Sequence, residues 1–310
     1  MNVIEEIKKE FEIPGAFESW AAYRKEVTDL ILASASHPDL MQEASLQTSI
    51  QDVERSRMAM PTSDTKATGS IALFGIGPAN DIDLRRLSER FGRITLIDLD
   101  RESMERGLVR YGLQHCPKVE LWDTSLSGVT MEDVAAFFKT LYGQVVQSGR
   151  ALTEAAFMKM SLAALEEIRR KVYASREALR AQLPANHYDM VVNVGLHSQF
   201  WSILSYSWLT LAGNVEAQIL GHAMNHDPFF ETLRAIDDAF IPMLNEVLLS
   251  MGDRAIIAVE EDEANPVEGA FQSMQDPEVQ EKRLHWPFRP EDGKSYEMLF
   301  QIIGQTKVEH

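Results

Sequence analysis

From residue 70 onward the chain alternates short apolar runs with helical stretches, and that alternation restricts it to a parallel sheet covered by crossover helices. The runs are IALF (71–74), ITLID (94–98), VELW (119–122), MVVNV (190–194) and AIIAV (255–259). All are short and almost wholly apolar, as strands buried on both faces must be. After the fifth, KRLHWPFR and SYEMLFQIIG flank the turn-rich PEDGK, which predicts a terminal antiparallel hairpin. The expected fold class is α/β: a doubly wound, mostly parallel, seven-stranded sheet ending in that hairpin.

The spacing of the runs is uneven. About 67 residues separate the third from the fourth and about 60 the fourth from the fifth, whereas a crossover needs only a dozen or so. Helical insertions are therefore expected at about 131–182 and 200–250. Residues 1–60 also read as helical, with apolar positions such as Val3, Ile4, Ile7, Phe11, Trp20, Val27, Leu30 and Ile31. PTSDTKATG (61–69) has almost nothing to bury. It predicts a boundary near 65, dividing a helical region at 1–65, acting as a lid or cap, from the sheet domain at 66–310.

Thirty Lys and Arg against 47 Asp and Glu give a formal net charge of -17. Such a surface repels nucleic-acid phosphates and anionic lipid, so neither nucleic acid nor membrane is expected as a partner. The basic cluster Arg169-Arg170-Lys171 is short and sits among glutamates. Cys116 is the single cysteine, which excludes an intrachain disulfide and fits a reducing compartment. The N-terminus lacks an apolar signal core, and no window spans a bilayer. The chain reads as cytoplasmic.

In an open parallel sheet, ligands bind beyond the carboxyl ends of the strands. After the first run comes Gly75-Ile76-Gly77-Pro78-Ala79-Asn80, then Asp81 and Asp83. A dinucleotide fingerprint needs a third glycine where Asn80 stands. A carboxylate at the start of the next helix also occupies the amide-rich position a pyrophosphate needs. The turn is thus suited to a ligand carrying positive charge, with Asp81 either a helix cap or a ligand contact. Asp98, 21 residues beyond Gly77, can accept both hydroxyls of a ribose, and Asp123 can accept from an exocyclic adenine amine. Asn193 through His197 bring polarity back after the fourth run.

Together these features resemble the class I S-adenosylmethionine-dependent methyltransferases, a Rossmann-like superfamily, over roughly residues 70–310. The resemblance implies S-adenosyl-L-methionine as cofactor, a methyltransferase activity and a small-molecule acceptor. It implies a cofactor site of Gly75, Gly77, Pro78, Asp81, Asp98, Leu99, Asp123, Thr124 and Asn193. The glycine turn meets the methionine part, Asp98 the ribose and Asp123 the adenine. Leu73 and Ala79 depart from the motif, where an acid and a third glycine are usual. A homodimer is compatible with the same reading.

Methyl transfer from a sulfonium is an in-line displacement that mainly requires alignment of a nucleophile. His197 is the candidate for acceptor contact or general base, with a hydrogen-bonded loop histidine as the alternative. Gln199, Trp201, His222, His226 and Glu261 are candidate acceptor contacts. His222 and His226 stand four apart on an expected helix, but no third metal ligand accompanies them, so no metal is expected. Glu261, in the run Glu260-Glu261-Asp262-Glu263, places an acid at the acceptor mouth and favours a polar or amine-bearing acceptor. The glycine turn, the Asp98-Leu99-Asp100 step and the helical N-terminus are also similar to nicotianamine synthase-like enzymes, which transfer the aminobutyl group of the same cofactor. A catalytically silent cofactor-binding or interaction protein and an NAD-dependent oxidoreductase are the other readings.

Overall fold

The computed structural model describes residues 13–36, 67–182, 188–197, 200–261 and 279–304. The seven expected strands are β1 (Ser70–Phe74), β2 (Arg93–Asp98), β3 (Val119–Asp123), β4 (Met190–Val194), β5 (Arg254–Glu261), β6 (Gln280–Arg289) and β7 (Lys294–Gly304). They form one sheet in the order β3-β2-β1-β4-β5-β7-β6. The first five run parallel, and β7 inserts antiparallel between β5 and β6. This is the Rossmann-like, mostly parallel sheet with an antiparallel C-terminal hairpin that the sequence predicts. Strand order reverses between β1 and β4, so their carboxyl ends flank the crevice where such a sheet takes its ligand.

Both faces of the sheet's centre are covered, which is why β1, β2, β4 and β5 lack polar alternation. Adjacent residues Leu73 and Phe74 point to opposite sides, yet are 0% and 2% exposed. On one side, Leu73, Leu96 and Val192 pack beneath α1 (Ala16–Ser19), α2 (Ala21–Ser36), α3 (Leu84–Arg90) and α4 (Arg101–Tyr111). On the other, Phe74, Val191 and Ile257 pack beneath α5 (Met131–Ser148), α6 (Glu154–Gln182), α7 (Ser202–Val215) and α8 (Asp227–Met251). The insertions thus supply one whole helical layer. The aromatic run from Phe200 belongs largely to that layer's core: Trp208 stacks on Phe229 with centroids 3.9 Å apart and donates its Nε1–H to Ser161 Oγ at 2.8 Å.

The N-terminal helices are fastened to the sheet. Trp20 and Tyr23 pack on Trp286 of β6, with centroids 5.0 and 5.9 Å away. Arg24 Nη1 donates to the Asn80 carbonyl at 3.0 Å, and Thr28 Oγ1 accepts the Asp83 N–H at 2.9 Å. The α2 helix is therefore a wall of the glycine turn. The boundary expected near 65 falls outside the described residues. No helix among those described is long and apolar enough to cross a membrane.

Candidate functional site at the carboxyl edge of the sheet

The turn after β1 opens with Gly75 at φ 63, and its N–H donates to the Ile97 carbonyl at 2.8 Å. A Cβ there would lie 2.5 Å from Leu196 Cδ1, so glycine is required both by the left-handed backbone and by the approach of the β4 loop. Gly77 has open space on its Cβ side. Its N–H donates to Asp98 Oδ2 at 2.8 Å, while Asp98 Oδ1 accepts the Asp100 N–H at 2.8 Å. Burial pushes the Asp98 carboxyl above its ordinary value, opposed by hydrogen bonds from the Asp100, Gly77 and Leu99 N–H groups. A carboxylate accepts about four hydrogen bonds, so capacity for a ligand hydroxyl remains. Pro78 is held from behind by α4, where a Cβ on Gly107 would come within 2.9 Å of the Pro78 carbonyl oxygen.

The two aspartates of the turn have different jobs. Asp83 is the N-cap of α3: its Oδ1 accepts from Arg85 N at 3.0 Å and Arg86 N at 3.2 Å. Asp81 does not cap the helix. It is half-buried, and burial pushes its carboxyl up to about 6 against the lowering influence of its own backbone N–H and of Arg24. Beside it lies Tyr23 of α2, 2% exposed, whose hydroxyl has no hydrogen-bond partner. Burial raises that hydroxyl well above its ordinary value, and the charges of Asp81 and Glu260 raise it further.

Tyr23 of α2 therefore lies within electrostatic reach of Asp81 in the glycine turn and of Glu260 at the end of β5. Position 73 offers no acid of its own. Leu73 itself is fully buried in register with Leu96 and Val192, so no polar group is available there. The acid expected at the acceptor mouth, Glu261, is not free for that role. Arg283 of β6 holds it in a two-pronged ion pair at 2.8 and 2.9 Å. Strand parity explains the exchange: neighbouring residues of β5 face opposite sides, so Glu260 and Glu261 cannot share a site.

At β3, Asp123 is exposed and lies 3.7 Å from Arg101 Nη1. Thr124 donates its N–H to the Asp98 carbonyl at 3.1 Å, which ties this edge to the ribose candidate. A cavity of about 230 Å³ opens between Asp123, Thr124, Ser125 and Gly128 on one side and Ser175 and Leu179 of α6 on the other. Leu99 is 39% exposed beside Asp98.

His197 and Asn193 lie inside the protein rather than on the lip of the cleft. Both are at most 1% exposed. His197 Nε2 meets Asn245 Oδ1 of α8 at 2.9 Å and lies 3.3 Å from Asn193 Nδ2. Burial pushes the imidazole down to about 4, against the raising influence of Asn245, so the ring is neutral. His197 Nδ1 and Asn193 Oδ1 find no partner. The alternative weighed for His197, a hydrogen-bonded loop histidine, describes this geometry.

Trp201, expected near the acceptor, is buried and donates its Nε1–H to Asp237 Oδ1 at 2.8 Å. Asp237 escaped the sequence reading; its only signal was an acid pair, Asp237-Asp238, within the apolar repeat of α8. Burial pushes its carboxyl up to about 7, with Trp201 opposing and Asp238 reinforcing. The helix expected to carry His222 and His226 ends earlier. A π-helical turn at Glu216–Leu220 stops at left-handed Gly221, and residues 221–226 are irregular. His226 Nε2 pairs with Glu216 Oε1 at 3.0 Å, and the exposed His222 contacts the Ala223 carbonyl. Gln199 lies outside the described residues.

No protein-family model and no curated protein matches the sequence. Among solved structures, the chain is similar to the N-methyltransferase NodS from Bradyrhizobium japonicum WM9 in complex with S-adenosyl-L-homocysteine, at 9% identity and TM-score 0.35, covering 90% of this chain and 98% of that one. A SAM-dependent methyltransferase from Aquifex aeolicus gives 10% identity and TM-score 0.33 over 82% and 88% of the two chains. The precorrin 8w decarboxylase from Methanobacterium thermoautotrophicum gives 14% identity and TM-score 0.33 over 84% and 93%. Likenesses this distant transfer no residue roles.

Proposed function

We propose that this chain is an S-adenosyl-L-methionine-dependent methyltransferase whose acceptor is a small polar or amine-bearing molecule. The observation that carries this reading is that Tyr23 lies within electrostatic reach of Asp81 in the glycine turn and of Glu260, one strand away from Asp98. Such a site is acidic and contains an unmatched buried hydroxyl, so it opposes a pyrophosphate and suits a ligand with a sulfonium and an ammonium.

The residues fit that cofactor. Asp98 keeps acceptor capacity for a ribose hydroxyl, Gly77 leaves open space for close approach, and the cavity beside Asp123 and Thr124 takes an adenine. Gly75, Pro78 and Leu99 shape the turn around it. When bound, the cofactor supplies an electrophilic methyl group. The chain's own task is to bind and orient: Asp81 and Glu260 offset positive charge, and Leu196 closes over Gly75 to exclude water. His197 and Asn193 brace the floor beneath the β4 loop.

Incubation with methyl-labelled cofactor and a mixture of small amines tests this. The expected products are S-adenosylhomocysteine and labelled amine; formation of methylthioadenosine instead would contradict methyl transfer.

A further inference from the structure

We propose that Asp237 is the carboxylate that recognises the methyl acceptor, and that this acceptor carries a protonated amine. The word acceptor rests on the methyltransferase reading; the cation site stands on its own geometry.

The α8 helix runs antiparallel to β5, so its C-terminal half covers the sheet and its N-terminal half rises past the carboxyl edge. Asn245 touches His197 just beyond β4. Asp237 lies two turns nearer the helix N-terminus, about 12 Å further out. Trp201, from the same β4 loop, reaches across to it. Asp237 is therefore above the cleft on the side where an acceptor must enter.

Its surroundings suit a cation. Oδ1 accepts from Trp201, while no donor reaches Oδ2 among the described residues. No Lys, Arg or His forms an ion pair with it among those residues, and its carboxyl is pushed up to about 7 by burial. A half-buried carboxylate without a positive partner is costly, and a bound ammonium reverses that cost. Phe200 and Phe240 pack against Trp201, each with ring centroids 6.5 Å from it, and lie edge to face with one another at 5.0 Å. Aromatic rings of this kind favour a cation over a neutral isostere. Pro242 lies inside α8 and has no N–H, so it cannot close the helical bond onto the Asp238 carbonyl. That carbonyl is a second acceptor one residue from Asp237.

The test uses the full chain with two matched probe pairs, benzylamine against benzyl alcohol and n-butylamine against n-butanol, titrated with S-adenosylhomocysteine present and absent. Wild type is expected to bind the amines about tenfold or more tightly than the alcohols, as a charged hydrogen bond requires. Asp237→Asn is expected to abolish that preference while leaving alcohol affinity unchanged. Equal binding of amine and alcohol by wild type, or a preference that survives in Asp237→Asn, overturns the proposal. If Asp237→Asn fails to fold, Trp201→Phe, which removes the orienting donor, must weaken amine binding alone; an unchanged preference there overturns it too. Cofactor affinity measured in the same samples separates the two readings. Asp237→Asn must leave it intact, whereas a wild-type chain that binds amines but no cofactor retains the cation site and loses its role as a methyl-acceptor site.

Discussion

Gly77 and Asp98 join the first two strands at the crevice: the Gly77 N–H donates to Asp98 Oδ2 at 2.8 Å, so the carboxylate proposed to hold the ribose also fixes the turn proposed to hold the methionine. Replacing Asp98 by Ala removes both functions. Cofactor affinity is expected to fall about tenfold or more, and stability by about 1–2 kcal/mol, because the Gly77 and Asp100 N–H groups lose their acceptor. Titration calorimetry and urea unfolding measure the two losses separately.

Asp81 and Asp83 separate by mutation. Asp83→Ala removes a helix cap and should cost about 1 kcal/mol of stability with cofactor affinity unchanged. Asp81→Asn should instead weaken cofactor binding without loss of stability. Its folded carboxyl titrates near 6, above the unfolded value of 3.8, so burial of the charge makes wild type progressively less stable as pH rises through that window. The Asn variant is therefore expected to be more stable than wild type at pH 8 and equal to it near pH 4, as thermal melts across pH would show. Wild-type cofactor affinity should weaken as pH falls below about 6, and that dependence should be absent in Asp81→Asn.

His197 contributes stability of the opposite pH sense. Its folded imidazole titrates near 4 against 6.5 for the free ring, so the unfolded chain binds the extra proton first. The contribution is complete above pH 6.5 and is lost as pH falls toward 4. His197→Gln is expected to cost about 1–3 kcal/mol at pH 7.5, from a disturbed buried network, and less at pH 4.5. Denaturant unfolding at the two pH values measures the difference; a constant penalty would place His197 outside the buried network described.

Gly75→Ala should destabilise by about 1–3 kcal/mol, combining a left-handed backbone with a clash against Leu196. Adding Leu196→Ala should recover part of that loss, because the Cβ meets Leu196 Cδ1 at 2.5 Å. A double-mutant cycle reads the coupling, and strictly additive losses would show that the two residues do not meet.

The central strands β1, β2, β4 and β5 were legible because strands buried on both faces must be apolar, as IALF, ITLID, MVVNV and AIIAV are; the terminal hairpin, whose strands carry exposed charged residues, was legible from its PEDGK turn. Asp98 was legible by its distance from the glycine turn. What escaped depended on packing between distant segments. Tyr23 acts through α2, whose placement on β6 follows from aromatic contacts with Trp286 that no local pattern encodes. Choosing Glu260 over Glu261 needed strand parity at β5. Asp237 meets Trp201 only through the length and direction of α8. The His222 and His226 pair was misplaced because the helical repeat of α7 breaks at Gly221, a residue tolerated within a helix and here its terminator.

The central claim is an acidic cofactor crevice, and titration calorimetry of the wild-type chain with S-adenosyl-L-methionine tests it most directly. One site per chain is predicted, weakened about tenfold or more by Asp81→Asn and by Asp98→Ala and unaffected by Asp83→Ala. Absence of binding to the folded wild-type chain, or equal binding by all four proteins, would contradict it.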